Sequence, residues 1–300
     1  MHIPVLADEV VKFLQPENKK IYVDATIGCG GHTKKIFSVA PNCIIIGIDC
    51  DQQSIEYCRQ HLYQFLVQKN LIVFKDNFVN IKEILKKINI EKVDGVIFDF
   101  GISTLQLRTS RGFSFNDETL DMRMDTSLPL TAYDVINKFS QNELTKIFLE
   151  YAEEKHGKLI AKKIVEYRKT KNITSAKELA EIVSSVSKRR SKKIYFKDTK
   201  QQIEYKFNPA TKIFQAIRIF VNNELNNIYH GVNNAIDVLT PSGKIITICY
   251  HSLEDRIVKN IFKSRKDIKI LTKKPVTPQP QEIMYNRSSR SAKLRVTQKI

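Results

Sequence analysis

Long apolar runs are missing from this 300-residue chain. A helix that crosses a bilayer needs about 20 consecutive apolar residues, and the longest apolar stretch here, 43–48, has the length of one strand. Near the N-terminus, Asp8 and Glu9 occupy the region where a signal peptide would be basic. We therefore expect a cytosolic protein without a membrane partner.

Cysteine is scarce and shows no metal-binding spacing. No two cysteines form a C-x-x-C pair, and no histidine accompanies them at the spacing of a zinc finger. An odd number without a framework favours reduced thiols, so we expect neither disulfides nor a bound metal. The five cysteines are Cys29, Cys43, Cys50, Cys58 and Cys249.

Acidic residues are sparse in the second half of the chain. Residues 1–150 hold 17 Lys+Arg and 19 Asp+Glu, whereas residues 151–300 hold 32 and 13, a net charge of +19. A lysine-rich genome composition would raise lysine along the whole chain, so it does not explain this asymmetry. The distribution predicts a small-molecule end and a polyanion end, although charge alone does not separate RNA from DNA or an anionic membrane.

Strand-like and helix-like patterns alternate over the first hundred residues. The strands are predicted at 21–27, 43–48, 71–75 and 93–98, with helices from His32 and over 52–66 and 80–88. Alternation of this kind is typical of βαβ units and a parallel sheet, which indicates an α/β, Rossmann-like fold.

This alternation stops near residue 107 and resumes near 209. Residues 104–130 show no period, and 131–186 read as helical, with capping boxes predicted at Ser140 and Ser175. The basic segment 188–206 is interpreted as a mobile or RNA-facing segment that forms a loop or hairpin.

The C-terminal part has its own predicted elements. They are a long helix over 209–228, a turn over 240–243, a strand over 244–250 and a helix capped by Ser252. We therefore predict a Rossmann-like domain made of 1–107 and 209–300, and a mainly helical insertion over 108–208 that recognises the substrate.

Three features lie at predicted strand ends, where open parallel sheets bind ligands. The first is a glycine cluster that begins at Gly28, and the others are Asp49 and Asp99. A carboxylate at position 49 can accept hydrogen bonds from ribose hydroxyls. The cluster alone is a weak signal, because Thr33 stands where the dinucleotide fingerprint requires glycine. Phe78 is either an adenine-binding wall or an ordinary core aromatic.

Several strings in this chain are uncommon, and their order carries a resemblance. The chain resembles the bacterial 16S ribosomal RNA (cytosine-N4)-methyltransferases of the RsmH/MraW type almost from end to end. The matching strings are HIPVL (2–6), DATIGCGGH (24–32), GIDCD (47–51), DGVIFDFG (94–101), RGFSF (111–115), LDMRMD (120–125), EEK (153–155), FQAIRI (214–219), HSLEDR (251–256) and RSAKLR (290–295).

The resemblance implies a Rossmann-like enzyme with a helical insertion, S-adenosylmethionine as cofactor, and small-subunit ribosomal RNA or the small ribosomal subunit as partner. A leucine replaces the family's usual proline at 105, and Arg108 replaces an acid. The implied cofactor contacts are Gly30, Gly31, His32, Asp49, Phe78, Asp99 and Gln106.

The implied chemistry needs a group that orients a weakly nucleophilic amine, since the N4 lone pair of cytosine is delocalised into the ring. Asp99 is the candidate, either for this role or for holding the cofactor alone. His251 is a second candidate near the target base, and the base is stacked by Phe113, Phe115 or Tyr250, unless these are core residues. The candidate phosphate ligands are Arg111, Arg123, Arg218, Arg256, Arg290 and Arg295.

Two other functions are compatible with parts of the sequence. An NAD-dependent oxidoreductase explains the strands and Asp49 but not the basic half. A non-catalytic RNA-binding or ribosome-assembly protein explains the basic half but not the glycine turn with Asp49 and Asp99. The sequence leaves open whether the protein is a monomer or a homodimer.

Overall fold

The computed structural model describes residues 3–186, 190–196 and 201–300. Within these residues the chain forms nine strands: β1 Ile21–Asp24, β2 Ile44–Asp49, β3 Leu71–Lys75, β4 Val93–Asp99, β5 Arg190–Phe196, β6 Gln201–Phe207, β7 Leu239–Cys249, β8 Ile268–Ile270 and β9 Lys293–Lys299.

Thirteen α-helices accompany these strands over the same described ranges. They are α1 Ala7–Leu14, α2 Gly31–Phe37, α3 Gln52–His61, α4 Tyr63–Val67, α5 Ile81–Lys87, α6 Ala132–Lys138, α7 Gln141–Ala152, α8 Gly157–Arg168, α9 Ala176–Val186, α10 Thr211–Asn222, α11 Glu224–Asp237, α12 Ser252–Ser264 and α13 Pro280–Tyr285. Nowhere in the described ranges is a helix both long enough and apolar enough to cross a bilayer.

Seven of the strands form one sheet in the order β3-β2-β1-β4-β7-β9-β8. The first five are parallel, and β9 runs antiparallel to both β7 and β8. Helices alternate with the parallel strands, as right-handed crossovers between them require. The predicted α/β, Rossmann-like fold is confirmed.

Apolar side chains cover both faces of this sheet. Along β1, Tyr22 belongs to one buried cluster and Val23 to the other, and along β4 Ile97 and Phe98 alternate in the same way. Successive residues of a strand point to opposite faces. Continuous apolar runs such as 44–48 therefore fit strands that are buried on both sides.

The strand order reverses beside β1, which sets the place of a ligand site. The chain proceeds from β1 through β2 to β3 on one side, and β4 then returns to pair with β1 on the other. In open α/β sheets such a switch point leaves a crevice outside the carboxyl ends of the two strands. The residues that close β1, β2 and β4 are thereby brought to one edge.

Contacts divide the chain into two compact units, Met1–Ser103 with Leu225–Ile300, and Thr104–Glu224. We predicted the second boundary at 208/209. The contacts place it after Glu224, so that α10 belongs to the inserted unit and not to the unit that contains the sheet. It does so because it packs on α6 and α7. Asn222 on α10 also donates to the Met122 carbonyl at 2.8 Å and accepts from the Met124 N–H at 2.7 Å.

The predicted helix over 209–228 was wrong in one respect. It is two helices, because Asn223 adopts a left-handed conformation (φ 51°) that ends α10 before α11 begins. Asparagine tolerates this conformation better than most residues. The predicted helix over 52–66 is likewise interrupted, at Leu62 between α3 and α4.

The inserted unit is mainly helical, as predicted. Ser140 and Glu143 form the expected reciprocal capping box of α7. At α9 the box is incomplete: the Ser175 hydroxyl accepts from the Glu178 N–H, but the Glu178 carboxylate accepts from the Thr174 N–H. In the basic segment, β5 and β6 pair antiparallel, which agrees with the predicted hairpin, while residues 188, 189 and 197–200 lie outside the described residues.

Two C-terminal features were not predicted correctly. The supposed turn over 240–243 is an irregularity inside β7, where the pairing shifts between Val93 and Gly95 and Ser242 is left-handed (φ 67°). The short β8 and the antiparallel β9 were not predicted, although both alternate apolar and polar residues. They extend the sheet beyond β7.

Candidate active site

Three carboxylates end three adjacent strands. Asp24 closes β1, Asp49 closes β2 and Asp99 closes β4. Because β1 lies between β2 and β4 in parallel register, these side chains gather at the carboxyl edge of the sheet, beside the switch point. The expected position of Asp49 and Asp99 at strand ends is confirmed.

The Asp49 carboxylate is held by backbone donors. Its Oδ2 accepts from the Gly28 N–H at 2.9 Å, and its Oδ1 accepts from the Asp51 N–H at 2.8 Å. Burial raises the pKa of Asp49 to about 7, and these two N–H groups offset part of that rise. Each oxygen keeps a second lone pair, so the carboxylate can accept two further hydrogen bonds.

The glycine cluster forms the turn between β1 and α2. Gly28 and Gly30 both have positive φ, 49° and 76°. A Cβ at Gly28 would have no atom nearer than the Thr26 carbonyl oxygen at 3.8 Å, followed by Asp49 Oδ2 at 4.0 Å. The turn therefore offers open space directly beside the Asp49 carboxylate.

Gly30→Ala is expected to lower the free energy of unfolding by about 2–4 kcal/mol, through left-handed strain and overpacking. A Cβ at Gly30 would lie 2.5 Å from Leu62 Cδ1. Urea unfolding of Gly30→Ala, Leu62→Ala and the double variant measures this. Because Leu62→Ala removes the overlap but not the strain, the two changes should couple by about 1–3 kcal/mol. Additive effects would contradict the predicted overlap.

Asp24 is buried and is bound by the residue that breaks the dinucleotide fingerprint. The Thr33 hydroxyl donates to Asp24 Oδ2 at 2.7 Å. Burial raises the pKa of Asp24, with His32 and Thr33 opposing that rise. The Oδ1 atom has no hydrogen-bond partner among the described residues. Neither Asp24 nor Thr33 was named as a site residue from the sequence, since their contact depends on how α2 packs on β1.

His32 links the N-terminal segment to Asp99. Its Nε2 lies 2.9 Å from the Val5 carbonyl oxygen, and since a carbonyl only accepts, Nε2 carries the proton. Its Nδ1 lies 3.7 Å from Asp99 Oδ2. The side chain does not cap α2, whose N-cap is Gly30.

Asp99 is fixed from three directions. Its N–H donates to the Thr26 hydroxyl at 2.7 Å, its Oδ1 accepts from the Tyr250 hydroxyl at 2.7 Å, and His32 faces its Oδ2. Burial raises the pKa of Asp99 to about 6, against the lowering effects of His32 and Tyr250. The group is thus mostly ionised at neutral pH and can still take up a proton.

Phe78 stands where β3 leaves the sheet. The Asp76 N–H donates to the Asp49 carbonyl at 3.0 Å, which ties the end of β3 to β2. The Phe78 ring packs edge-on against Phe98 with centroids 5.4 Å apart, and it touches α11 at Gly231. It is half-buried, so it both belongs to the core and presents part of its surface near the strand ends.

His251 occupies the helix-capping position that was predicted for Ser252. His251 is the N-cap of α12, and its Nδ1 accepts from the Glu254 N–H at 3.4 Å. Its Nε2 lies 3.0 Å from Glu254 Oε1. The prediction that Ser252 is the cap was wrong. Both ring nitrogens thus face Glu254, and the predicted role of His251 near the target base stays a prediction.

Gln106 and two of the candidate stacking aromatics lie in the inserted unit. Gln106 is buried in a single 3₁₀ turn, Gln106–Arg108. Phe113 is buried under the Arg111 guanidinium, whose carbon lies 5.5 Å from the ring centroid, and Phe115 packs on Phe214 at 4.8 Å. Their predicted roles toward cofactor and base stay predictions.

Three candidate phosphate ligands are engaged inside the inserted unit. Arg111 donates to the carbonyls of 123 and 124 at 3.3 Å. The Arg123 guanidinium pairs with Asp121 at 2.7 Å and lowers the pKa of that carboxyl, which burial alone would raise. Arg218 binds both oxygens of Glu224, at 2.8 and 2.9 Å. The guanidinium groups of all three arginines are therefore bonded to other groups of the inserted unit.

The other three candidates lie in the sheet unit. Arg295 is buried and binds both oxygens of Asp255, at 2.7 and 3.2 Å. Arg290 is half-buried in the 3₁₀ turn Arg287–Ser291, and Arg256, the fifth residue of α12, is exposed. Of these three arginines, Arg256 is the most exposed.

Comparison with known proteins decides the family. The model of the MraW methylase family matches residues 1–300. The chain belongs to the MraW methylase family. It is 48% identical over 303 residues to "Ribosomal RNA small subunit methyltransferase H" of Persephonella marina and 45% identical over 303 residues to the protein of that name from Sulfurihydrogenibium sp., each match covering 100% of this chain and 99% of the relative.

A relative of the same name from Caldicellulosiruptor saccharolyticus is 43% identical over 320 residues, covering 100% of this chain and 99% of its own length. The family resemblance stated from the sequence is thereby confirmed. Membership of the MraW methylase family also argues against the oxidoreductase alternative. This agrees with the presence of Thr33 at the position where a dinucleotide site has glycine.

Proposed function

We propose that this chain transfers a methyl group from S-adenosylmethionine to the exocyclic N4 amine of a cytidine in small-subunit ribosomal RNA. The observation that carries the proposal is the gathering of the Asp49 and Asp99 carboxylates and the glycine turn at one edge of the sheet, in a chain of the MraW methylase family. Small-subunit RNA is a cytoplasmic molecule in bacteria, so we place the reaction there.

The residues at this edge fit S-adenosylmethionine by their chemistry. Asp49 retains two acceptor positions for the ribose hydroxyls, and the space beside Gly28 admits a ligand next to that carboxylate. Phe78 offers an apolar surface for the adenine. The turn lacks the third glycine that a pyrophosphate would need, and this cofactor has no pyrophosphate.

When bound, S-adenosylmethionine supplies a methyl group on a positively charged sulfur, which leaves as a neutral thioether. The protein has to orient the N4 amine and remove one of its protons. In our proposal Asp99 does both: its Oδ2, which is not bonded to Tyr250, accepts a hydrogen bond from N4 and then the proton. A pKa of about 6 suits a group that must be ionised before the reaction and protonated after it.

The target base must leave its stack to bring its N4 amine to Asp99, which is half-buried at the end of β4. Tyr250 borders Asp99 in the sheet unit, but its hydroxyl is engaged there. The aromatic that stacks on the base therefore remains a choice between Tyr250 and the inserted unit's Phe113 and Phe115.

The basic half of the chain supports a polyanionic partner, either naked RNA or the assembled small subunit. Residues 151–300 carry a net charge of +19. Within it we propose Arg256 and Arg290 as phosphate contacts. We omit Arg295, because its guanidinium is buried against Asp255. The same charge is compatible with a monomer or a homodimer.

The testing experiment incubates the purified chain with methyl-labelled S-adenosylmethionine and small subunits from a strain that lacks the gene. The RNA is then digested, and the labelled nucleoside is identified by mass spectrometry. We expect label in N4-methylcytidine. Label in another nucleoside would contradict the proposed target, and tight S-adenosylhomocysteine binding without label on subunits or naked RNA would favour the non-catalytic RNA-binding alternative.

A further inference from the structure

Tyr250 and Asp99 are brought together by the pairing of β4 with β7. In this parallel pair Asp99 stands opposite Ile248, and the Phe100 N–H donates to the Ile248 carbonyl at 3.0 Å. Tyr250 follows directly after β7, so its side chain reaches the end of the neighbouring strand. The Tyr250 hydroxyl donates to Asp99 Oδ1 at 2.7 Å. The contact is therefore fixed by the sheet itself.

The tyrosine is held on both sides. Its N–H donates to Glu254 Oε2 at 2.6 Å, which anchors its backbone to the start of α12. Gly101 lies on the other side, and its φ of 101° favours glycine. A Cβ added at this position would lie 3.4 Å from Tyr250 Cδ2. Burial raises the pKa of Tyr250 well above its usual value, so the phenol stays protonated and donates at every physiological pH.

This arrangement divides the two oxygens of Asp99 between different partners. Oδ1 is committed to Tyr250, while Oδ2 faces the His32 ring at 3.7 Å, beyond hydrogen-bond distance. His32 is itself oriented by the Val5 carbonyl. Only one oxygen of the carboxylate is thus directed to a further donor, and a rotation that turns this oxygen away from its position breaks the bond of the other oxygen to Tyr250.

We propose that Tyr250 is a positioning residue for the reaction, which holds the Asp99 carboxylate ionised and presents its Oδ2 atom to the amine substrate. This inference rests on the proposed function for its catalytic consequence, but the contact itself does not. The charged and titratable groups that face Asp99 are His32 on α2, Tyr250 after β7, Asp24 at the end of β1 and Glu254 on α12.

Two of these groups oppose the ionised form, and two favour it. The carboxylates of Asp24 and Glu254 raise the pKa of Asp99, as burial does, while His32 and the Tyr250 hydroxyl lower it. A hydrogen bond to a carboxylate stabilises its charged form. Removing the phenolic hydroxyl therefore leaves Asp99 protonated up to a higher pH.

Tyr250→Phe removes this donor and keeps the ring, and Tyr22→Phe is its matched control. Tyr22 also has a bonded hydroxyl, which accepts from the Glu17 N–H at 2.9 Å, but it lies on β1 away from the carboxyl edge. Both variants, with aspartate labelled by ¹³C, are titrated by NMR without cofactor, and Asp99→Asn assigns the Asp99 carboxyl signal. Circular dichroism confirms that each variant is folded.

In Tyr250→Phe the Asp99 titration is expected to move up by about one pH unit, and in Tyr22→Phe it should stay in place. The acid limb of kcat for methyl transfer should move by the same amount, so that the variant loses about fivefold to tenfold at pH 6 and recovers near pH 8.5. KM for the RNA should change little.

An unmoved Asp99 titration in Tyr250→Phe would overturn the inference. So would a moved titration with an unmoved pH profile of kcat, because Tyr250 would then have only a structural role. Absence of methyl transfer by the unaltered chain is a different result: it would contradict the proposed function, and the cofactor-free titration would still decide whether Tyr250 holds Asp99.

Discussion

Asp99→Asn is expected to lower the turnover of methyl transfer by about 10²–10⁴-fold, the range typical of the removal of a general base. Asparagine keeps the shape of the side chain, and its oxygen can still accept from Tyr250. Its amide then presents a donor where Oδ2 accepted, so it neither orients the N4 lone pair nor takes the proton. Single-turnover transfer of labelled methyl to small subunits measures this loss.

The matched control is Asp94→Asn on the same strand. Asp94 lies near the opposite end of β4, where it accepts from the Ile21 N–H at 2.9 Å and from Lys20 Nζ at 3.2 Å. An amide oxygen can keep the more buried of these bonds. We expect turnover within about twofold of the unaltered chain, since an exposed ion pair contributes little.

Calorimetric binding of S-adenosylhomocysteine separates the two roles considered for Asp99. If Asp99 acts on the amine, the Asn variant loses at most about tenfold in affinity while turnover falls by at least a hundredfold. If Asp99 holds only the cofactor, affinity falls as far as kcat/KM, and kcat at saturation is retained. The second pattern would contradict the proposed mechanism.

The parts of the fold that follow from local pattern were predictable. The strands at 44–49 and 93–99 are mainly apolar, largely buried runs that each end in an aspartate, and such runs have few other places in an α/β fold. The ends of these strands then located Asp49 and Asp99. Prediction was wrong where a single residue decides the backbone, as at Asn223, which divides one apolar helical face into two helices.

The network around Asp99 lay beyond such patterns. The partners of Asp99 are Thr26, His32 and Tyr250, which come from three segments and meet only after β1, β4 and β7 have paired. Hydrogen bonds of this kind depend on three-dimensional register. For the same reason the sequence did not reveal the buried contact between Thr33 and Asp24. It showed only that Thr33 stands where the dinucleotide fingerprint requires glycine.

Asp49→Asn is expected to weaken S-adenosylhomocysteine binding by about tenfold to a hundredfold at pH 8, since hydrogen bonds to a charged acceptor contribute about 1.5–3 kcal/mol. The carboxylate accepts from Gly28 and Asp51 on separate oxygens. An asparagine has one oxygen, so its amide must face one of these N–H donors, and the ribose hydroxyls lose their charged acceptor. Isothermal titration calorimetry measures the change.

The affinity for S-adenosylhomocysteine is expected to depend on pH in a direction that mere disruption of the glycine turn would not produce. Burial raises the pKa of Asp49 to about 7, so below that pH the carboxyl carries a proton that has to leave before it can accept two hydroxyl donors. Affinity of the unaltered chain should therefore rise by up to about tenfold per pH unit below 7 and level off above it. Asp49→Asn has no such proton and should lose this slope, whereas Asp94→Asn should keep it. A slope that survives in Asp49→Asn would assign the titration to another group at the strand ends, Asp24 or Asp99, and would remove Asp49 from the ribose site.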